Sequence, residues 1–278
     1  MTVLISNLDE NEAIDFAHDN YQLIDKIGEG GFAKVYKARQ LNTGQFVAIK
    51  FLTLPGFFDS DKKQRYVQRF ERETLLSGRL QHPNIVRLLD KGQCSNHHVY
   101  AVFEFVSGET LKHNLAYSGA LSPISAADIM AQVLDALAHA HLQGVVHRDI
   151  KPANIMLSRT GAKIHAKILD FGIGTFVNEQ HLDAKNITLT SETLGTPSYS
   201  APEQLRGEPA TARTDIYAWG LVFLECVTGH PAISGSSLAS IFHKQLNPAN
   251  VSLPSAMVDT PLGSFIRRAV NKNTSERA

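Results

Sequence analysis

The sequence is poor in cysteine, has no surplus charge of either sign and contains no long apolar run. Cys94 and Cys226 are its only cysteines. They lie far apart in apolar surroundings without metal-ligand spacing, which argues against a disulfide framework and predicts buried, reduced thiols. Lys plus Arg and Asp plus Glu both number 27, so no net field draws the chain to nucleic acid or to an acidic membrane. Any basic site must be local. The longest helical apolar stretch, YAWGLVFLECV at 217–227, is interrupted by Glu225 and is too short to span a bilayer. The N-terminal MTVLISNLDENEAIDFAHDN is acidic, with His18 its only residue of basic type, and lacks the positive region of a signal peptide. Residues 1–20 are therefore expected to form a leader or arm. There is no internal repeat.

What is present suits a globular chain: 278 residues, 43% hydrophobic and 19% charged, enough for one large domain or two packed lobes. From Tyr21 to Lys50 apolar residues alternate between a glycine-rich break at 28–31 and an Asn-Thr-Gly break at 42–44, predicting three antiparallel strands. The segment DKKQRYVQRFERETLLSGRL at 61–80 carries a helical period, with Tyr66, Phe70, Leu75 or Leu76 and Leu80 on roughly one face. After Ser107 the pattern turns helical. SPISAADIMAQVLDALAHAHLQG and ARTDIYAWGLVFLECVTG are long candidates, the first opened by Ser122 and Pro123, both closed by glycine. A β-rich part followed by a helical part predicts two lobes joined near residues 104–107, with a cleft as the natural place for a small ligand.

Several short stretches could carry chemistry, and each has a bland alternative. VVHRDIKPANIML at 145–157 crowds His147, Arg148, Asp149, Lys151 and Asn154 between apolar residues. Taken alone it reads as a charged turn between short strands, with Pro152 in the turn. GEGGFAKV at 28–35 could cover phosphates with bare backbone N–H groups, or simply turn a hairpin; the strand that follows disfavours a dinucleotide fold. Lys50, ending the apolar strand VAIK, is a snorkelling edge residue unless Glu71 or Glu73 pairs with it. Asp170 of DFG is a hard oxygen ligand or an ordinary turn carboxylate. Asp215 falls in an apolar helix and needs partners. His139 and His141 are two apart on a helix, share no face, and read as ordinary helix residues.

In this order, GEGGFAKV, VAIK, the FERE helix, HRDIKPAN, DFG, GTPSYSAPE and DIYAWG together resemble the eukaryotic-like protein kinases, specifically their bacterial serine/threonine branch, across residues 21–278. The resemblance implies an α+β, two-lobed protein-kinase fold. Its N-lobe, 21–105, would be a small antiparallel sheet with one main helix, and its C-lobe, 106–278, larger and mostly helical. It implies ATP as cofactor with Mg²⁺, Mn²⁺ being an alternative. Asp149 would be the base toward a substrate hydroxyl and Lys151 would neutralise the moving phosphoryl group. Asn154 and Asp170 would hold the metal. Lys50, paired with Glu73 (Glu71 as fallback), would contact the phosphates beneath Gly28 and Gly30. Adenine would lie among Ile27, Val35, Ala48 and Met156, with backbone bonds to Glu104 and Val106 and Phe103 closing the pocket behind it. His147 would be a packing residue under Phe171.

By the same resemblance, Lys151 and Thr196 point to Ser or Thr as acceptor, and Glu203 would pair with Arg277. Arg148 marks a class switched by phosphorylation of the loop, with Thr188 and Thr190 the expected sites beside Ser191 and Thr193. Expected partners are protein substrates and a second copy for trans-autophosphorylation, without nucleic acid or membrane contact, in the cytoplasm. Ala33 replaces the family's third glycine. KNTSERA at 272–278 stops one residue after Arg277, before the expected last helix, implying a truncated form or one domain of a longer protein. A scaffold-type pseudokinase and a small-molecule phosphotransferase are the rival readings. All the catalytic positions are filled, against the first; the GT and APE segment stands against the second.

Overall fold

The alternating apolar residues after Tyr21 form strands in the computed structural model, which describes residues 16, 18–94, 98–171 and 197–277. Two compact units make up the chain: Met1–Gly78 with Arg87–Phe105, and Arg79–Val86 with Val106–Ala278. The first is built on strands β1 (Tyr21–Gly30), β2 (Ala33–Gln40), β3 (Phe46–Leu52), β4 (Leu88–Gln93) and β5 (Val99–Glu104), all antiparallel neighbours in the order β1-β2-β3-β5-β4. Gly44, at φ 72°, supplies the left-handed residue that the β2–β3 turn needs.

Side chains alternate across a strand, so the sheet has two unlike faces. One face buries Tyr21, Tyr36, Ala38, Val47, Ile49, Phe51, Tyr100 and Val102. Phe16 covers it, with its ring 5.0 Å from Phe51 and 5.3 Å from Tyr100, and His18 shares a 2.8 Å hydrogen bond with the Tyr100 hydroxyl. The other face carries Gly28, Val35, Ala48, Lys50 and Phe103, because the register pairs Gly28 with Val35, Val35 with Lys50, and Ala48 with Phe103.

Helix α1 (Ser60–Ser77) starts where the Asp59 carboxylate accepts the Lys62 N–H at 2.7 Å. Its buried face is Phe70, Glu73, Thr74 and Ser77, more polar than the apolar period suggested. Leu75 is exposed and Leu76 half-buried, which settles that alternative.

In the second unit, α2 (Leu111–Ser118) and α3 (Pro123–Leu142) precede a three-stranded sheet of β6 (Glu109–Thr110), β7 (Ile155–Thr160) and β8 (Lys163–Ile168). α4 (Pro202–Leu205), α5 (Ala212–Thr228), α6 (Leu238–Leu246) and α7 (Pro261–Ala269) follow. Ser122 caps α3 by accepting the Ser125 N–H, and Gly229 ends α5 at φ 76°. α5 packs on α3, where the Trp219 indole donates to the Met130 carbonyl at 2.8 Å. Val145 and Val146 form no strand; Ile155 begins β7. Both cysteines are buried and free, and burial pushes the Cys226 thiol up to about 12.

One buried ion pair ties the end of the chain to the start of α4. Arg277 donates to Glu203 at 2.6 and 3.1 Å, Thr214 adds a hydroxyl bond at 2.9 Å, and the guanidinium lies 4.7 Å over the Tyr217 ring. This is the pairing that the resemblance implied. Burial works to raise the Glu203 pKa, but the Arg277 hydrogen bonds and charge outweigh it and hold the carboxyl below its ordinary 4.5. A depressed carboxylate pKa contributes stability that is complete above the ordinary value and fades as pH falls toward the lowered one. Glu203→Gln, which leaves the Arg277 charge buried and unmatched, is expected to cost about 3–5 kcal/mol at neutral pH. Denaturant titration across the acid range should show the wild type losing stability more steeply than the variant below pH 4.5; parallel curves would refute the assignment.

Candidate active site

The crowded segment at 145–154 takes its shape from a carboxylate that lies far away in sequence. Asp215, in α5 and 1% exposed, accepts the backbone N–H of His147 at 2.8 Å and of Arg148 at 2.7 Å, and shares a 2.8 Å bond with His141 Nε2. Arg148 has φ 70°, a left-handed conformation that costs a non-glycine residue about 1–3 kcal/mol. Two charge-assisted bonds to consecutive N–H groups offset that cost. The turn they stabilise presents the next residue, Asp149.

Asp149 is held from two sides. Lys151 Nζ stands 2.8 Å from its Oδ2, while Asn154 Nδ2 donates to the same oxygen at 3.0 Å and to the Asp149 carbonyl at 2.8 Å. The Asp149 side chain keeps 30% of its surface accessible, so a substrate group can reach it. The His147 ring is wholly buried. Its Nδ1 accepts the Asp149 N–H at 3.2 Å and its Nε2 donates to the Leu169 carbonyl at 2.8 Å. Phe171 meets the ring edge-on at 4.7 Å. With both ring nitrogens bonded to backbone, His147 is a structural link, as the resemblance implied.

The Leu169 N–H donates to the Asn154 carbonyl at 2.9 Å, so Asn154 and Asp170 come from adjoining stretches of backbone. Asp170, at φ 57°, is the other non-glycine residue at positive φ among the described residues. Such outliers gather where a site over-determines the backbone. A divalent cation fits this pair. Asn154 points its nitrogen at Asp149, which turns its amide oxygen the opposite way, and an amide oxygen with a carboxylate is a hard donor set that leaves positions for phosphate and water.

In the first unit, Val35, Ala48, Lys50 and Phe103 share a face of the sheet, as the register requires. Lys50 and Glu73 are both 7% exposed, whereas Glu71 is exposed. Glu73 takes an ion pair from Arg69 at 3.1 Å, one helical turn earlier, a partner that the sequence pattern did not single out. Ile27 is half exposed. Glu104 accepts the Arg87 N–H on its carboxylate at 2.9 Å and donates its own N–H to the Arg87 carbonyl. A Cβ added at Gly30 or Gly31 would meet nothing within 4 Å, and neither has positive φ. The backbone conformation and packing at these two positions would both accept a side chain.

Other expected residues sit in the second unit or outside the described residues. Met156 and Val106 are half-buried. Gln204 donates to the Arg148 carbonyl at 2.8 Å, joining α4 to the turn at Arg148. Thr188, Thr190, Ser191, Thr193 and Thr196, with Gly172, lie outside the described residues. Two further contacts escaped the sequence. His141, read as an ordinary helix residue, is a partner of Asp215. Glu225, read only as a break in an apolar run, accepts the Tyr199 hydroxyl at 2.5 Å. Burial raises the Glu225 pKa and the Tyr199 bond partly counters it; burial and the neighbouring carboxylate push Tyr199 up as well. No sequence signal links partners 26 or 74 positions apart.

Comparison with known proteins places the chain in a family. The family model described as "Protein kinase domain" matches residues 21–278. The chain is 38% identical over 271 residues to the serine/threonine-protein kinase PkaA of Streptomyces coelicolor, covering 92% of this chain and 47% of that protein. It is 42% identical over 226 residues to PrkC of Bacillus subtilis, covering 81% and 33%, and 33% identical over 264 residues to PknB of Mycobacterium tuberculosis, covering 93% and 41%. It thus spans less than half the length of these curated relatives. With a match over nearly the whole chain, the chain belongs to the protein kinase domain family.

Proposed function

We propose that the chain is the catalytic domain of a serine/threonine protein kinase, transferring the γ-phosphoryl group of ATP to Ser or Thr hydroxyls of proteins. The observation that carries this reading is the partly accessible Asp149 carboxylate, fixed between Lys151 and Asn154. An acceptor hydroxyl hydrogen-bonded to Asp149 is oriented for in-line attack; the new O–P bond forms as the bond to ADP breaks, and the hydroxyl proton passes to Asp149. Lys151 balances the charge of the group in transit. Asn154, through its amide oxygen, and Asp170 would hold the divalent cation, which supplies charge neutralisation on the phosphates. We assign Mg²⁺ here, with Mn²⁺ as a substitute.

In this reading 21–105 is the N-lobe, although its residues 79–86 group with the second unit, with residues 1–20 as an arm, and 106–278 is the C-lobe. Lys50 addresses the phosphates under Gly28 and Gly30, with Glu73 as its acidic partner. Ile27, Val35, Ala48, Phe103, Glu104, Val106 and Met156 receive adenine. Thr188 and Thr190 are the sites that a second copy phosphorylates, and Arg148 receives the new charge, about −1.5 to −2 per phosphate. Thr196 and Glu203 support the peptide platform. The domain works in the cytoplasm, in keeping with its free thiols; no helix of the described residues is long and apolar enough to cross a membrane.

Transfer of labelled γ-phosphate from ATP to the chain and to a basic protein tests this. Asp149→Asn should retain ATP binding and lose about 10²–10⁴-fold in rate. Undiminished labelling would remove Asp149 from the base role, and ATP binding without labelling by the wild type would favour a scaffold. Asp170→Asn should raise the Mg²⁺ concentration needed for half-maximal rate, read by titration at fixed ATP; an unchanged requirement would exclude Asp170 as a ligand.

A further inference from the structure

The turn that would cover the nucleotide phosphates carries one large side chain, Phe32, which packs against two other rings. Gly30 and Gly31 contribute no side chain; Phe32 follows them, and its carbonyl accepts the Thr53 N–H at 2.9 Å. The Phe32 ring centre lies 5.1 Å from Tyr66, in α1, and 5.9 Å from Phe58, in the segment leading into α1. Phe58 and Tyr66 are 5.5 Å apart, so the three rings close a triangle. Phe58 is 8% exposed, with Phe57 edge-on at 5.1 Å and the Lys62 ammonium 4.2 Å over its ring. Aromatic contacts and a cation over the ring favour this one arrangement.

The triangle joins two parts with different expected duties. One is the glycine turn. The other is α1, where Tyr66 precedes Glu73 by two helical turns on the same side. We propose that Phe32, Phe58 and Tyr66 are positioning residues: they clasp the glycine turn to the base of α1 and hold its backbone N–H groups where nucleotide phosphates bind. None of the three touches the reacting atoms. Because the clasp acts on the turn, it governs the phosphate end of the nucleotide and leaves adenine recognition alone. This inference rests on the ATP reading above.

Binding of ATP and of adenosine, which has the same base without phosphates, separates the outcomes. Measured by calorimetry on the intact chain, Phe58→Ala and Phe32→Ala should each weaken ATP by about three- to tenfold while adenosine stays within about twofold. Tyr66→Phe, which keeps the ring, should bind ATP like the wild type. The double variant Phe32→Ala with Phe58→Ala should be no weaker than the worse single one, since both break the same triangle. Should Phe58→Ala fail to fold, Phe32→Leu at the half-buried turn asks the same question. Equal weakening of ATP and adenosine, or ATP affinity unchanged in Phe32→Leu, would overturn the clasp. A wild type that binds adenosine and ATP equally would overturn it too, whereas one that binds neither would sink the ATP reading itself.

Discussion

The geometry of the turn from His147 to Asp149 depends on one buried carboxylate. Asp215 accepts two consecutive backbone N–H groups, at His147 and Arg148, and these charge-assisted bonds offset most of the strain of the left-handed Arg148. From that fixed point the rest follows in order. The turn places Asp149; Asp149 anchors Lys151 and Asn154; Asn154 receives the Leu169 N–H, and Asp170 is next in the chain. A buried charge is costly to desolvate, and here three donors satisfy it. The arrangement is rigid because the low-dielectric interior makes any loosening of those bonds unfavourable.

Much of this architecture was legible in the chain. Period-two alternation marked the strands through Lys50, and the Ser122 cap and the closing Gly229 bounded α3 and α5, because caps and left-handed ends are local properties of a few residues. Asp149, Lys151 and Asn154 stood out because they are crowded within six positions. What the sequence did not disclose was long-range. The Asp215–His141 and Tyr199–Glu225 contacts join elements that only tertiary packing brings together. The apolar pair Val145–Val146 suggested a strand, but the backbone there is pulled into the Asp215 turn. α1 buries Glu73, Thr74 and Ser77 where an apolar stripe was expected, so the period misjudged what its inner face carries.

That polar inner face has its own meaning. A helix that buries a glutamate gains less from the hydrophobic effect than one that buries leucine, and it is correspondingly easier to shift. α1 is held by specific contacts at identifiable points: the Asp59 cap at its start, the rings around Tyr66, and the Arg69–Glu73 pair.

Asn154 illustrates how little chemical latitude such a site leaves. Its nitrogen donates twice to Asp149 while its oxygen faces the other way, so one planar group must be a donor on one side and an acceptor on the other. Aspartate would bring a second negative charge against Asp149 and no donor. Glutamine would overshoot by a methylene, serine would reach neither partner, and histidine would lose the carbonyl-type oxygen. Of the twenty side chains, asparagine alone has both the reach and the opposed polarity that this position demands.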